Sequence, residues 1–231
     1  MSAIPLFDAP NEHALPNGST VIECEQHSGE WFTARMGIPT ASRFNAIITS
    51  KGDPCKAAAR RTYIEDLATE RITRVVTEHH VTAAMARGTA LEPRARAWYE
   101  FDRDTDVETV GFVRSADRLC GASPDGLVGS DGGIEIKCPL KRAFVRIALA
   151  DKFPSEHVQQ VQGCLWVTGR AWWDLVVYSD DAGLDHRPLV YRVEPDPVIH
   201  AALDDLVPAF CAEVDATAAK LMAALYGETA K

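Results

Sequence analysis

The chain has 231 residues, a mass of 25.3 kDa, 46% hydrophobic and 25% charged residues, the balance of a soluble globular protein with one domain or two small ones. A chain of this size buries about 70% of its unfolded surface, so a core needs neither disulfides nor a structural metal. It has no run of 18 apolar residues, which excludes a spanning helix, and its formal net charge of −9 argues against simple coating of nucleic acid or an anionic membrane.

The first 20 residues, rich in Pro, Asn and Gly, read as an arm or loop. Residues 22–36 hold a short helix, and Thr40 or Ser42 can cap the next one. From about Lys56 to Val76, apolar residues such as Tyr63, Ile64, Leu67 and Ile72 recur at three- and four-residue steps, predicting a helix. A further helix is predicted from near Thr89 to about Tyr99, with Pro93 tolerated because it falls close to the first turn. Segments 107–114, 118–122, 126–128 and 133–137 read as consecutive strands of an antiparallel meander. Helical spacing returns over 140–150 and 156–168, and 172–178 and 189–193 are β-prone. Residues 198–226 are helical, punctuated by Pro208, with Ile199, Leu203, Leu206, Phe210 and Val214 on the core stripe. One α+β or α/β domain over 1–231 is expected: an arm at 1–20, a core at about 31–194 and a helical region at 195–231.

The acidity lies at the ends. Residues 1–34 carry five acids and no Lys or Arg, and residues 180–231 carry ten acids against four bases. The middle, 35–179, sums to +2 and can hold a local basic groove. The N-terminus lacks the pattern of a secretory signal, so an intracellular protein is expected. The scattered cysteines form no CxxC pair, which discounts a zinc or iron–sulfur site.

Ser123-Pro-Asp-Gly-Leu-Val-Gly-Ser-Asp-Gly-Gly-Ile-Glu-Ile-Lys-Cys-Pro139 is the most informative stretch. As a strand, its second half turns Glu135 and Lys137 to one face and Ile134, Ile136 and Cys138 to the core. A hairpin through 129–133 can bring Asp125 beside Glu135. Paired carboxylates are hard ligands suited to Mg²⁺, and a neighbouring lysine can orient an attacking water and offset charge on a phosphate in transition. An isolated Glu-x-Lys would be read as a surface cross-pair; an SPDG turn, nine residues and an alternating Glu-x-Lys strand ending in Cys-Pro is a much rarer combination.

This stretch resembles the catalytic core of the PD-(D/E)xK nuclease superfamily, and within it the phage lambda-type exonuclease, or YqaJ-like viral recombinase, family. Trp31 with Ala34-Arg-Met-Gly-Ile-Pro-Thr-Ala-Ser42 is similar to that family's N-terminal motif. Gly88-Thr-Ala-Leu-Glu92 and Gln159-Gln-Val-Gln-Gly-Cys-Leu-Trp-Val-Thr-Gly169 resemble its two helix segments. The resemblance implies an α/β restriction-endonuclease-like core, a central mixed sheet flanked by helices. It implies Asp125 and Glu135 as metal-binding carboxylates with the carbonyl of Ile136, Lys137 as the catalytic lysine, and Glu92 and Gln160 completing the site. Arg35, Ser42 and Ser123 would hold a 5′-phosphate, with Trp31 placed to stack on or wedge against a terminal base.

It further implies Mg²⁺, two ions with Mn²⁺ as a substitute, and a 5′-to-3′ exonuclease acting on ends of double-stranded DNA to leave 3′ single strands for recombination. A ring-shaped homotrimer, a single-strand annealing protein as partner and the cytoplasm of a bacterium or phage-infected cell come from the same source. Plain readings stand beside these: Glu92 as a first-turn acid, Ser42 as a cap, Ser123 as a turn residue, Arg35 as an ion-pair partner, His79 and His80 as a solvated helix end. Trp172 and Trp173 read as core and edge of a strand. Lys141, Arg142 and Arg146 either track phosphates or only solvate a helix. An endonuclease of the same fold and a non-catalytic DNA-binding module are the alternative functions.

Overall fold

The computed structural model describes residues 11–56, 58–77, 82–181 and 187–227. Among the described residues nine strands divide between two sheets. A four-stranded antiparallel sheet has the order β1-β2-β4-β5, from Glu12–Ala14, Thr20–Ile22, Phe112–Arg114 and Gly121–Ala122. A five-stranded sheet has the order β3-β6-β7-β8-β9, from Val107–Glu108, Gly126–Val128, Gly132–Lys137, Trp172–Val177 and Leu189–Val193. Among the described strands only β7 and β8 run parallel, joined through helices α4 (Lys141–Ala150) and α5 (Val158–Thr168), as a parallel pair requires a long crossover.

Two expectations are corrected here. Residues 12–22 are not loop: they form a hairpin in which His13 pairs with Val21, turning through Asn17 and Gly18 at φ 86°. Asn-Gly is a strong hairpin signal, but strands of three residues carry too little alternation to register. The segments between 107 and 137 do form strands, yet not one meander. β4 and β5 join β2 in the first sheet, while β3, β6 and β7 build the second.

Helix α1 (Gly29–Arg35) is capped by Ser28, and a 3₁₀ helix (Ala41–Ala46) follows. Thr40 occupies the cap position of that helix without a side-chain cap bond, so neither Thr40 nor Ser42 caps as expected. Helix α2 (Ala58–Thr73) lies within the predicted range. Helix α3 (Ala83–Arg103) starts six residues earlier than expected, capped by Thr82, so Pro93 sits in its interior rather than its first turn. Pro93 is exposed and lines an open cleft together with Thr89, so water has access to the Thr89 carbonyl that the missing N–H leaves free. His79 and His80 lie outside the described residues. The C-terminal helix, α6 (Pro197–Tyr226), runs through Pro208 and is capped by Asp196.

The larger sheet is covered on both faces. Leu91, Ala95 and Tyr99 of α3, one helical turn apart, are buried; Ala95 and Tyr99 pack on Ile134, Ile136 and Val176. On the opposite face Trp173, Leu175 and Val177 join Val161, Cys164 and Leu165 of α5 and Leu203, Val207 and Phe210 of α6 in one cluster that extends from Leu15 to Val214. This double cover is why Glu135, on a strand that alternates like a half-exposed one, is only 2% exposed. Trp173 is buried and Trp172 half-buried, as core and edge of β8. The Arg192 guanidinium lies 3.7 Å over the Trp172 ring.

Candidate active site

β6 ends its pairing with β7 at Gly126 opposite Ile134. Beyond that point the ladder is replaced by a side chain: Asp125 Oδ2 accepts the Ile136 N–H at 2.6 Å. The expected hairpin thus brings Asp125 against the strand that carries Glu135. Two residues on, Lys137 Nζ donates to Glu135 Oε1 at 2.6 Å, and from α5 the Gln160 amide donates to the same oxygen at 2.5 Å. Glu135 Oε2 is buried with no partner among the described residues. Gln162 turns away, donating to the Glu194 carbonyl and accepting from Asp196 N–H, as its two-residue offset from Gln160 on a helix requires.

Glu92 of α3 faces the same cluster and pairs with Arg96 at 2.9 Å. Arg96 also donates through Nε and Nη2 to the Asp125 carbonyl at 3.2 and 3.0 Å. The sequence reading missed Arg96, although its offset of four from Glu92 puts both on one helical face. It also missed Gln26, which donates to the carbonyls of Val110 and Pro124 and so pins the turn before Asp125.

Burial drives the electrostatics. It raises Glu135 to about 7, reinforced by the Asp125 charge, and Asp125 to about 6, reinforced by Glu92. Glu92 is also raised by burial, with Arg96 opposing. Lys137 loses from burial but gains more from Glu135 and Asp125, so its pKa is raised and it stays an ammonium near neutral pH. His157, at the start of α5, is lowered to about 4 by burial and by the Lys137 charge.

A second group lies a few residues upstream. Arg35 stacks on Trp31, its guanidinium carbon 3.8 Å from the ring centroid, and donates to Ser123 Oγ at 3.2 Å. Trp31 Nε1 donates to the same hydroxyl at 3.0 Å. Burial lowers Arg35 to about 10, with Tyr63 and Glu70 opposing, and it forms no ion pair among the described residues. Trp31 is 6% exposed and packs with Ile22, Ala34 and Phe112. That burial corrects its expected role: Trp31 forms the platform under Arg35 and has no free face for a base. Ser42 is exposed and bonds Thr40 at 3.2 Å rather than Arg35 or Ser123. Lys141, Arg142 and Arg146 are exposed on α4.

The donor set is hard oxygen: one orphaned, buried carboxylate oxygen of Glu135 beside the half-buried carboxylate of Asp125. It fits a divalent cation that keeps waters in its shell. Among the described residues no three His, Cys, Asp or Glu converge into a cage, so such an ion would complete its shell with backbone oxygen, water and substrate.

A mixed sheet between helices, with Asp125, Glu135 and Lys137 converging at the end of one strand pair, defines a PD-(D/E)xK nuclease. The family description "YqaJ-like viral recombinase domain" matches residues 30–171. Among solved structures, the alkaline exonuclease LHK-Exo from Laribacter hongkongensis is 38% identical, with a TM-score of 0.76 over 84% of this chain and 96% of that one. LHK-Exo in complex with dAMP gives the same identity and coverage and a TM-score of 0.77. A phage related exonuclease from Haemophilus somnus 129PT shares the fold at 13% identity, with a TM-score of 0.63 over 80% of this chain and 96% of its own. A comparison with curated proteins finds no match. The chain belongs to the YqaJ-like viral recombinase family.

Proposed function

We propose that this chain, a phage-type exonuclease acting on DNA by its family, removes 5′-mononucleotides from the 5′-ended strand of a duplex and leaves a 3′ single strand for recombination. The observation that carries the polarity is Arg35, a half-buried cation without an ion-pair partner among the described residues, fixed on Trp31 and Ser123 two positions before Asp125. A half-buried guanidinium left without a carboxylate and partly open to solvent is poised for an anion, and a terminal 5′-phosphate is the anion an end-directed enzyme meets. The 38%-identical LHK-Exo was solved with dAMP, a 5′-mononucleotide, the product this reaction releases.

The cut falls between the first and second nucleotides. Water adds to phosphorus, the bond to the 3′-oxygen of the first nucleotide breaks, and that oxygen takes a proton. The shortened strand carries a new 5′-phosphate, so each turnover regenerates the group that Arg35 and Ser123 would hold. Asp125, Glu135 and the Ile136 carbonyl would hold Mg²⁺, two ions in the full site with Mn²⁺ able to replace them. When bound, the metal supplies hydroxide near neutral pH and neutralises charge on the scissile phosphate. One residue's N–H and C=O point to the same side of a strand, so the Ile136 carbonyl faces the Asp125 side to which its N–H donates. Lys137, protonated by its carboxylate neighbours, serves as a donor to developing negative charge rather than as a base. Gln160 holds Glu135 in place from α5. Glu92 completes the acidic wall. A ring-shaped homotrimer and a single-strand annealing protein belong to this reading as its assembly and partner.

A linear duplex labelled separately at each 5′ and 3′ end, incubated with and without Mg²⁺, tests it. Early release of 5′ label as mononucleotide, only with metal, is the expected result. Early release of 3′ label overturns the polarity. Cleavage of covalently closed circles as fast as linear DNA would instead establish an endonuclease, and no digestion over a range of salt a binding module.

A further inference from the structure

Residues 23–27 form a short loop between β2 and the Ser28 cap of α1. Gln26 is tied inward by its bonds to the Val110 and Pro124 carbonyls. The next residue, His27, is exposed and holds a left-handed backbone, φ 70°, a conformation that costs a residue with a β-carbon. Its ring lies 4.9 Å from that of Trp31, inclined at 50°, and among the described residues its imidazole makes no hydrogen bond. The loop also lines a cleft of about 280 Å³ with Thr89, Glu92 and Arg96 of α3 and with Asp125. His27 therefore stands beside both halves of the site: Arg35 and Ser123 through the Trp31 platform, and the carboxylates across the cleft.

We propose that His27 is a substrate-contacting residue whose imidazole face stacks on the 5′-terminal nucleoside while Arg35 and Ser123 hold that nucleotide's phosphate. The inference rests on the 5′-to-3′ reading above. Hydrolysis of the first phosphodiester requires the terminal nucleoside to bridge from Arg35 to Asp125 and Glu135, and among the residues that line the cleft there His27 carries the aromatic ring, whereas the exposed Phe32 beside Trp31 does not line it. Trp31 is buried and cannot serve. Stacking suits an enzyme that must remove every nucleotide in turn, because each base offers a π-face whatever its sequence. The left-handed backbone accords with a side chain held outward for contact rather than inward for packing.

The test compares wild type, His27→Gly and His27→Phe on 5′-phosphorylated duplexes ending in a normal or an abasic 5′ nucleotide. Glycine accepts φ 70° without strain, so the fold is not at risk. Wild type is expected to favour the normal end over the abasic end by roughly tenfold in kcat/KM, the scale of one base–aromatic stack. His27→Gly should lose that preference, mainly through KM, and His27→Phe should restore it. Titration with 5′-dAMP should show weaker binding to His27→Gly. Unchanged kcat/KM in His27→Gly, or an equal loss on both substrates, overturns the inference. If wild type digests no 5′ end at all, the underlying reading falls and this inference with it.

Discussion

The carboxylate of Asp125 and the backbone of Ile136 are joined by a 2.6 Å hydrogen bond that takes over where the ladder between β6 and β7 stops. The bond uses one oxygen and fixes the carboxylate next to Glu135. An amide keeps the shape and the acceptor but not the charge. Asp125→Asn should therefore lower the cleavage rate by about 100-fold or more while the fold persists, the scale on which positioned electrostatic groups act. Thermal stability should hold or rise, since burial raises the pKa of this carboxyl in the wild type. A melting curve beside a nuclease assay checks it; loss of activity accompanied by a large fall in Tm would make the role structural.

Asp125 and Glu135 also set a pH dependence of stability. Their folded pKa values, about 6 and about 7, lie above the ordinary carboxylate range of roughly 4. The folded chain thus holds protons that the unfolded chain releases. Their stabilisation is present below about pH 4 and is lost as pH rises through 6 to 7. A divalent cation offsets the exposed repulsion only where the carboxylates are ionised. Added Mg²⁺ should raise Tm more at pH 8 than at pH 5, and Asp125→Asn should shrink the difference. Equal shifts at both pH values would exclude these carboxylates as the metal's ligands.

What the chain's pattern revealed follows from where its information lies. Asp125, Glu135 and Lys137 are set by a turn and an alternating strand, so spacing alone foretells their convergence, and the Trp31–Arg35 stack follows from a four-residue helical offset. The hairpin at 12–22 pairs strands of only three residues, and the division into two sheets rests on pairings between segments some 90 residues apart, such as Val21 with Val113. Strands of two or three residues do not encode such partners. Burial was likewise invisible: Trp31 looks the same in sequence whether its indole meets DNA or, as here, the Gly111 carbonyl.

The catalytic strand begins with Gly132 and Gly133 for a steric reason. A β-carbon on Gly133 would lie 2.3 Å from the ring of Trp173, a fully buried side chain. Gly133→Ala must push that ring off its position, and overpacking of this kind costs about 1–3 kcal/mol. Denaturant unfolding should show a lower midpoint with an unchanged m-value. Wild-type stability in this variant would mean that Trp173 moves freely, contrary to its packing.

Arg96 links the acid on α3 to the turn before β6, bonding Glu92 and the Asp125 carbonyl together. Arg96→Lys retains the charge but not the planar fork. The variant should therefore need more metal for half-maximal activity and lose about tenfold in kcat, the loss expected from displacing a catalytic group by a fraction of an ångström. Binding of 5′-phosphorylated DNA in the absence of metal should be preserved. A defect confined to DNA binding would place Arg96 on the substrate instead of behind the carboxylates.

Arg35 offers the sharpest separation of end recognition from hydrolysis. Its guanidinium is stacked on Trp31 and bonded to Ser123, outside the hydrogen-bond network around Glu135. Arg35→Ala should reduce kcat/KM on 5′-phosphorylated ends by about 10- to 100-fold, the range of a lost charge-assisted contact. Ends bearing a 5′-hydroxyl should lose far less, because they carry no terminal phosphate for Arg35 to hold. Arg35→Lys should recover only part of the preference, since an ammonium cannot keep both the flat stack and the bond to Ser123. Rates on the two kinds of end, measured side by side for all three proteins, decide the matter: an equal loss on both would remove Arg35 from phosphate recognition.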